Sequence, residues 1–459
     1  MTYQGSIVEN TYIAPAYGLV EYIKRARHDY MSIYTPEMHD RSLLHFKRGF
    51  SNTFLVNKPE YIEHVFLTNQ QNYLKTPLAQ PLLPPYLGVT LLTSEGEYWR
   101  RQRRTAAPAF QPRRVGDFIE TMAACTRAML QEWEKRGERP FDVVKQMTDL
   151  TLQIIARAMF STDVSGEIET LTRMRHVVDE ELKISVFDLL GLPQWLPRPV
   201  SKRALDSLEA FRDLVGRILE ARRADGRDRR DLMSMLLAAR DPDTGEGMTD
   251  AELKREMLMM LLAGHDTVST TLSIAWYLLA QHPEVEQKLH EEIDRVLGGR
   301  RPVASDLAHL RYTRMVFEET MRLYPISHTL LRQATAEDKI GGVRVPAGSL
   351  MIVAPYVTHR NPNLWPDPER FDPERFTPEA TAGRQRFSYM PFGGGPHICI
   401  GMHFGIAEAQ IVIAMIAQRF RVRIVPEHKV EMFGSWIIRI RNGIQVALEP
   451  RPVPCSSAA

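Results

Sequence analysis

The residues Thr249-Asp-Ala-Glu252 form a helix-opening pattern, a hydroxyl at the N-cap followed three positions later by glutamate, and no residue that would stop a helix follows until Pro283. The intervening stretch is mostly apolar at helical spacing. It therefore predicts one helix from Thr249 to His282, about 48 Å long at the α-helical rise. A rod of that length crosses a whole domain, and its neighbours must be built around it. Its apolar content also suits a membrane span, but Arg255 and Glu256 near its start and His265 and Asp266 near its centre argue against one. The centre reads Ala263-Gly-His-Asp-Thr267. Gly264 costs about 1 kcal/mol relative to alanine inside a helix, a cost that close approach of a ligand would explain. As bare residues, Asp266 and Thr267 also read as a buried polar pair that bends a long helix.

A second constraint is Phe392-Gly-Gly-Gly-Pro-His-Ile-Cys-Ile-Gly401, a glycine-rich loop with one cysteine, followed by the apolar, periodic run 402–420 that reads as a helix. A thiol at a helix N-terminus has a lowered pKa and is readily held as thiolate, which an axial metal ligand requires. Gly393, Gly394, Gly395 and Gly401 are expected to let the backbone pass close to a flat ligand at φ/ψ values other residues cannot reach, with Pro396 stiffening the turn. Taken alone, the loop is equally consistent with an ordinary buried cysteine.

At 459 residues the length suggests about three domains, yet no linker divides the chain, and a single domain over 1–459 is expected. The 58 Lys and Arg against 56 Asp and Glu leave a net charge of +2, which gives no global pull towards nucleic acid or an anionic membrane. Cys125, Cys399 and Cys455 are an odd set without metal-finger spacing, which fits a reducing compartment. Residues 1–20 carry no basic leader and no apolar run of anchor length, so a soluble, cytoplasmic protein is expected.

Along the chain, Leu43-Leu-His-Phe46 and Thr53-Phe-Leu-Val56 flank Gly49 as a small hairpin, and Pro59 opens a short amphipathic helix. Residues 74–88, rich in proline and leucine, cannot form a long helix. Trp99 and Arg103 stand at i, i+4 on one helical face, where guanidinium and indole N–H can meet one anion. Residues 115–237 read as helical, with breaks at 163–166, 191–199 and 224–230. Glu319 and Arg322 form an i, i+3 pair; 340–353 alternates around Pro346-Ala-Gly348 as a hairpin; 359–378 is proline-punctuated and extended; 430–448 is strand-like around the turn Phe433-Gly-Ser-Trp436. There are no repeats and no phosphate-cradling Gly-Lys-Ser/Thr loop.

The pattern Phe392-x-x-Gly395-x-His397-x-Cys399-x-Gly401 resembles the haem-binding loop of the cytochrome P-450 family, although many members carry arginine at the position of His397. Trp99-x-x-x-Arg103, Ala263-Gly-His-Asp-Thr267, Glu319-x-x-Arg322 and Pro373-Glu-Arg-Phe376 resemble further motifs of that family in the same order. The resemblance implies a mainly α-helical triangular prism with a smaller β-rich part, near the N-terminus and over 326–360. It implies haem b held by Cys399 in a loop defined by Phe392 and Gly401, with Trp99, Arg103, Arg332 and His397 on the haem propionates. Asp266 and Thr267 become the catalytic pair that handles protons for dioxygen, and Glu319, Arg322 and Arg375 a buried structural triad. Leu82, Leu83, Met259, Leu262, Ala263 and Trp436 become pocket residues, and 190–197 a connector in the lid. The implied activity is dioxygen-dependent hydroxylation of a hydrophobic fatty acid, terpenoid, steroid or aromatic, with a long-chain substrate as first guess. Reducing equivalents from NAD(P)H would arrive through a separate ferredoxin- or flavodoxin-type protein, docked on Arg100, Arg101 or Arg104, and the enzyme would be of the soluble bacterial type without membrane anchor. Two alternatives remain open at this stage, a peroxide-driven peroxygenase and a haem protein that only senses a gas or carries electrons.

Overall fold

Both halves of the capping box close as the sequence predicts: Thr249 Oγ1 accepts the Glu252 N–H (3.2 Å), and the Glu252 carboxylate accepts the Thr249 N–H (2.8 Å). The helix they open runs over Asp250–Gln281, and Pro283 begins the next one. This computed structural model describes residues 11–12, 19–48, 51–75, 88–161, 177 and 201–452. Leu82, Leu83 and the connector 190–197 lie outside the described residues.

The helices that frame the site are α1 (Gly96–Ala106), α2 (Ile119–Arg136), α3 (Val143–Phe160), α4 (Lys202–Asp225), α5 (Asp250–Gln281), α6 (Pro283–Leu297), α7 (Arg311–Leu323) and α8 (Met402–Ala417). Helix α5 packs along α3 and also touches α4, α7 and α8. It is buried over most of its length, as an all-round apolar helix must be. The uninterrupted helix expected across 115–160 is broken between α2 and α3. Gly137 leaves α2 at φ +63°, Pro140 follows, and Asp142 caps α3 by accepting the Val144 N–H (3.0 Å).

The strands are β1 (Thr11–Tyr12), β2 (Leu43–Arg48), β3 (Ser51–Val56), β4 (Tyr73–Lys75), β5 (Phe141–Asp142), β6 (Leu330–Ala334), β7 (Asp338–Ile340), β8 (Val343–Val345), β9 (Leu350–Val353), β10 (Phe420–Ile424), β11 (Glu431–Gly434), β12 (Ile438–Arg441) and β13 (Gln445–Pro450). One sheet has the order β1-β2-β3-β9-β6-β4 and so joins the N-terminal strands to those from 330–353. The hairpin expected around Pro346-Ala-Gly348 is not formed. Ile340 pairs with Val343 across Gly341 and Gly342, both at positive φ, while β9 leaves to pair with β3 and β6. Two glycines in a two-residue loop match the twist of a hairpin better than a proline-led turn does. The register of β4 against β6 sets Lys75 beside Arg332.

Candidate functional site

The cysteine loop is shaped by what surrounds it. A Cβ on Gly395 would lie 1.9 Å from the Phe66 carbonyl oxygen, and one on Gly394 would lie 2.4 Å from the Phe387 ring. Gly393 and Gly395 have positive φ (+74° and +66°). Gly394 and Gly401 do not (−164° and −83°), so the expectation of special backbone angles at all four glycines is corrected: Gly394 is needed for closeness alone. The Cys399 N–H donates to the Phe392 carbonyl (2.9 Å) and closes the loop. Burial pushes the Cys399 thiol up, while the N–H groups of Gly401 and Met402 and the charge of Arg103 pull it down; the net shift is upward, opposite to the sequence expectation. The helix N-terminus lowers the thiol by less than desolvation raises it. A cation bound at the sulfur would reverse the balance. Cys399 is exposed although protein encloses it, so it faces an internal space.

Basic groups converge beside this loop. The rings of Trp99 and His397 lie 3.9 Å apart. His397 Nε2 pairs with Glu95 (3.3 Å), and its Nδ1 has no partner. Glu95 also accepts the Lys75 N–H (2.7 Å), and Lys75 Nζ donates to the carbonyls of Leu91 (3.2 Å) and Ser94 (3.0 Å). Arg332 lies over the Phe66 ring (4.9 Å) and donates to the Leu331 carbonyl (2.8 Å). Burial lowers the pKa of all three cations, Lys75 to about 8, Arg332 to about 10, and Arg103 in the same direction. Burial also raises Glu95, but His397 and the Lys75 amide and charge outweigh it, and the carboxyl lies below its ordinary range. Three partly buried cations face the Glu95 carboxylate and the Glu256 carboxyl, which burial pushes up to about 7, and this leaves a surplus of positive charge that is costly without further anions. The two propionates of a haem would supply them, so the donor set fits that group.

The long helix forms the facing wall. Ala263 is exposed at the centre of an otherwise buried helix, and Leu262, Asp266 and Thr267 are partly exposed beside it. Val268, in the next turn, lies 3.5 Å from a Cβ placed on Gly405, so α8 crosses α5 close to Thr267. Thr267 Oγ1 donates to the Ala263 carbonyl (2.8 Å), which commits its one proton and leaves its lone pairs to accept. Asp266 Oδ1 accepts from Arg439 Nη1 of β12 (2.7 Å). Gly264 has a reason other than a ligand: a Cβ there would lie 3.2 Å from Ile155 of α3. Met259 is buried, at 5% exposure. Trp436 stands at the tip of the β11–β12 hairpin with Nε1 unpartnered, and the hairpin is pinned where His328 Nε2 donates to the Ser435 carbonyl (2.8 Å).

Behind the loop, Arg322 donates to both carboxylate oxygens of Glu319 (2.6 and 2.8 Å), and both side chains are wholly buried. Arg375 reaches the same carboxylate at 3.5 Å. Arg322 also donates to the carbonyls of His359, Pro368 and Arg370, and so holds the irregular segment that leads into the cysteine loop.

The sequence matches the family model described as cytochrome P-450 over residues 15–448. This chain belongs to the cytochrome P-450 family. It is 38% identical over 390 residues to a cyclooctatin synthase of Streptomyces melanosporofaciens, covering 84% of each chain. It is 36% identical over 387 residues to the cyclooctat-9-en-7-ol 5-monooxygenase of the same organism, covering 84% of this chain and 83% of the other. Its fold is similar to that of the cytochrome P450DA heme domain, with a TM-score of 0.80 at 22% identity over 97% of this chain and 95% of that one. Membership makes the protein a haem-thiolate monooxygenase that uses dioxygen on hydrophobic compounds. None of its described helices is long and apolar enough to cross a membrane.

The structure also shows which residues of this cytochrome P-450 the sequence motifs did not reveal. Lys75, Glu95 and Glu256 enter the site from segments without a motif, and Arg439 meets Asp266 from 173 positions away. No local spacing signals such contacts. The three arginines of α1 outside the motif each have a carboxylate partner within the molecule. Arg101 pairs with Glu252, Arg104 with Asp241 (2.9 Å) and Arg100 with Glu97 (3.4 Å).

Proposed function

We propose that this enzyme hydroxylates a neutral, polycyclic, largely hydrocarbon substrate of the terpenoid type. Electrons originating from NAD(P)H would reach it through a separate ferredoxin- or flavodoxin-type protein, in the cytoplasm. Cys399 would hold the haem iron, and Trp99, Arg103, Arg332, His397 and Lys75 its propionates. When bound, the haem supplies reductive activation of dioxygen, and thiolate ligation favours O–O cleavage. Around it, Ala263 leaves room on α5 that a larger side chain would fill. Arg439 fixes the Asp266 carboxylate at 2.7 Å, one residue from Thr267, where it can relay protons inward. Thr267, its own proton committed to Ala263, can accept from a water and hold it in line with that relay. Such a pair has little use in a peroxide-driven enzyme or in a sensor, which favours the monooxygenase reading over both.

The substrate class rests on one observation together with the names of the relatives. Among the described pocket candidates Met259, Leu262, Ala263 and Trp436 there is no cation, and the nearby Arg439 is engaged by Asp266. None of these four described residues can pair with a fatty-acid carboxylate, whereas a terpene alcohol needs only shape and one donor, which the Trp436 indole N–H can be. Titrating the haem-loaded enzyme with cyclic terpene alcohols and with fatty acids of equal carbon number tests this by the spectral change on binding. The alcohols are expected to bind about tenfold tighter, or ~1.4 kcal/mol. Tighter binding of the fatty acids would reject the terpenoid reading.

A further inference from the structure

Residues 88–95 lead into the helix that carries Trp99 and Arg103, and they are gripped at Leu91 from two sides. Glu256 Oε1 of α5 accepts the Leu91 N–H (2.8 Å), and Lys75 Nζ of β4 donates to the Leu91 carbonyl (3.2 Å). Glu256 is only 1% exposed, and its Oε2 has no partner. Its neighbours on the helix, Met257, Leu258, Met259 and Met260, show what packing alone selects there. A buried carboxylate with one oxygen unused is costly. Glu252, one turn earlier, is accounted for by the cap and by Arg101 and Gln102, whereas Glu256 has Leu91 alone as hydrogen-bond partner among the described residues. It also lies two helical turns before Ala263, and so on the same face of α5.

We propose that Glu256 is a positioning residue for the haem edge: by holding Leu91 opposite Lys75, it sets the approach of the start of α1, and with it Trp99 and Arg103, to the propionates. This rests on the assignment of Trp99 and Arg103 to that edge. The grip needs an acceptor oxygen at the Leu91 N–H and does not need a full charge. Glu256→Gln keeps the acceptor; Glu256→Leu has similar bulk and none.

The experiment measures two quantities on the haem-loaded enzyme and both variants: the rate of haem loss to excess apomyoglobin, and amide hydrogen exchange over residues 88–95. In Glu256→Leu both are expected to rise about tenfold, as the loss of one buried hydrogen bond predicts. Exchange in the α5 core should stay unchanged. Glu256→Gln is expected to restore both rates to within about threefold of the native values. Native rates in Glu256→Leu would overturn the proposal, and so would a glutamine variant as defective as the leucine one. Faster exchange at 88–95 with native haem retention would show that the clamp exists but that Trp99 and Arg103 do not hold the haem edge, which separates a failure of that assignment from a failure of the clamp.

Discussion

Replacing Cys399 with alanine is expected to abolish the red-shifted Soret band of the reduced carbon monoxide complex and all turnover, with the fold retained. The loop is closed by backbone and packing, through the Cys399 N–H on the Phe392 carbonyl (2.9 Å) and the contacts of Gly394 with Phe387 and of Gly395 with Phe66. None of these uses the sulfur. The side chain is exposed to the internal space, so its removal opens no void in the core. Circular dichroism should therefore match the native protein while the spectral signature, which requires thiolate ligation, is lost. A variant that kept the band would show that another sulfur is the ligand.

The second large effect concerns the fold. Glu319→Gln leaves the Arg322 guanidinium at 0% exposure with no anion in direct contact, while its remaining donors still point at the carbonyls of His359, Pro368 and Arg370. Breaking a buried pair in this way costs about 3–5 kcal/mol, a large part of the roughly 5–15 kcal/mol that a domain has in total. Because Arg322 anchors the segment before the cysteine loop, the variant is expected to unfold at much lower denaturant and to retain little haem. Arg375→Ala, which removes the longer 3.5 Å contact of a 12% exposed arginine, should cost far less. Denaturant midpoints for both variants check the order. A Glu319→Gln protein as stable as the native one would mean that the pair is dispensable.

What could be read from the sequence follows the range of the interaction. The capping box at Thr249, Trp99 with Arg103, and Glu319 with Arg322 are neighbours within a turn or two, so spacing alone placed them on one face, and the structure puts them there. The partners that complete the site are distant in sequence. Asp266 finds Arg439 through a hairpin that packs on α5, and His397 finds Glu95 because the start of α1 reaches the cysteine loop. Gly264 shows that one local signal can have several causes: a Cβ there would lie 3.2 Å from Ile155, a contact that spacing does not report. At Cys399 the sign of the thiol shift depended on burial, which the order of residues does not report. Gly341-Gly342 and Pro346-Ala-Gly348 are both turn-forming sequences, and which of them closes the hairpin depends on β9 pairing with the distant β3 and β6.

The proton role assigned to Asp266 and Thr267 is tested most directly by following electrons and labelled dioxygen together, in the native enzyme and in Thr267→Ala, with a turned-over substrate. In the native enzyme, one labelled oxygen atom should enter the product for each pair of electrons consumed. In Thr267→Ala, substrate binding and electron uptake should persist, while product per electron falls about a hundredfold, the low end of what a positioned acid–base group contributes, because the water that relays the proton is no longer held. The missing electrons should appear as hydrogen peroxide. A fully coupled Thr267→Ala enzyme, or native product carrying no label from dioxygen, would contradict the pair's role in proton delivery.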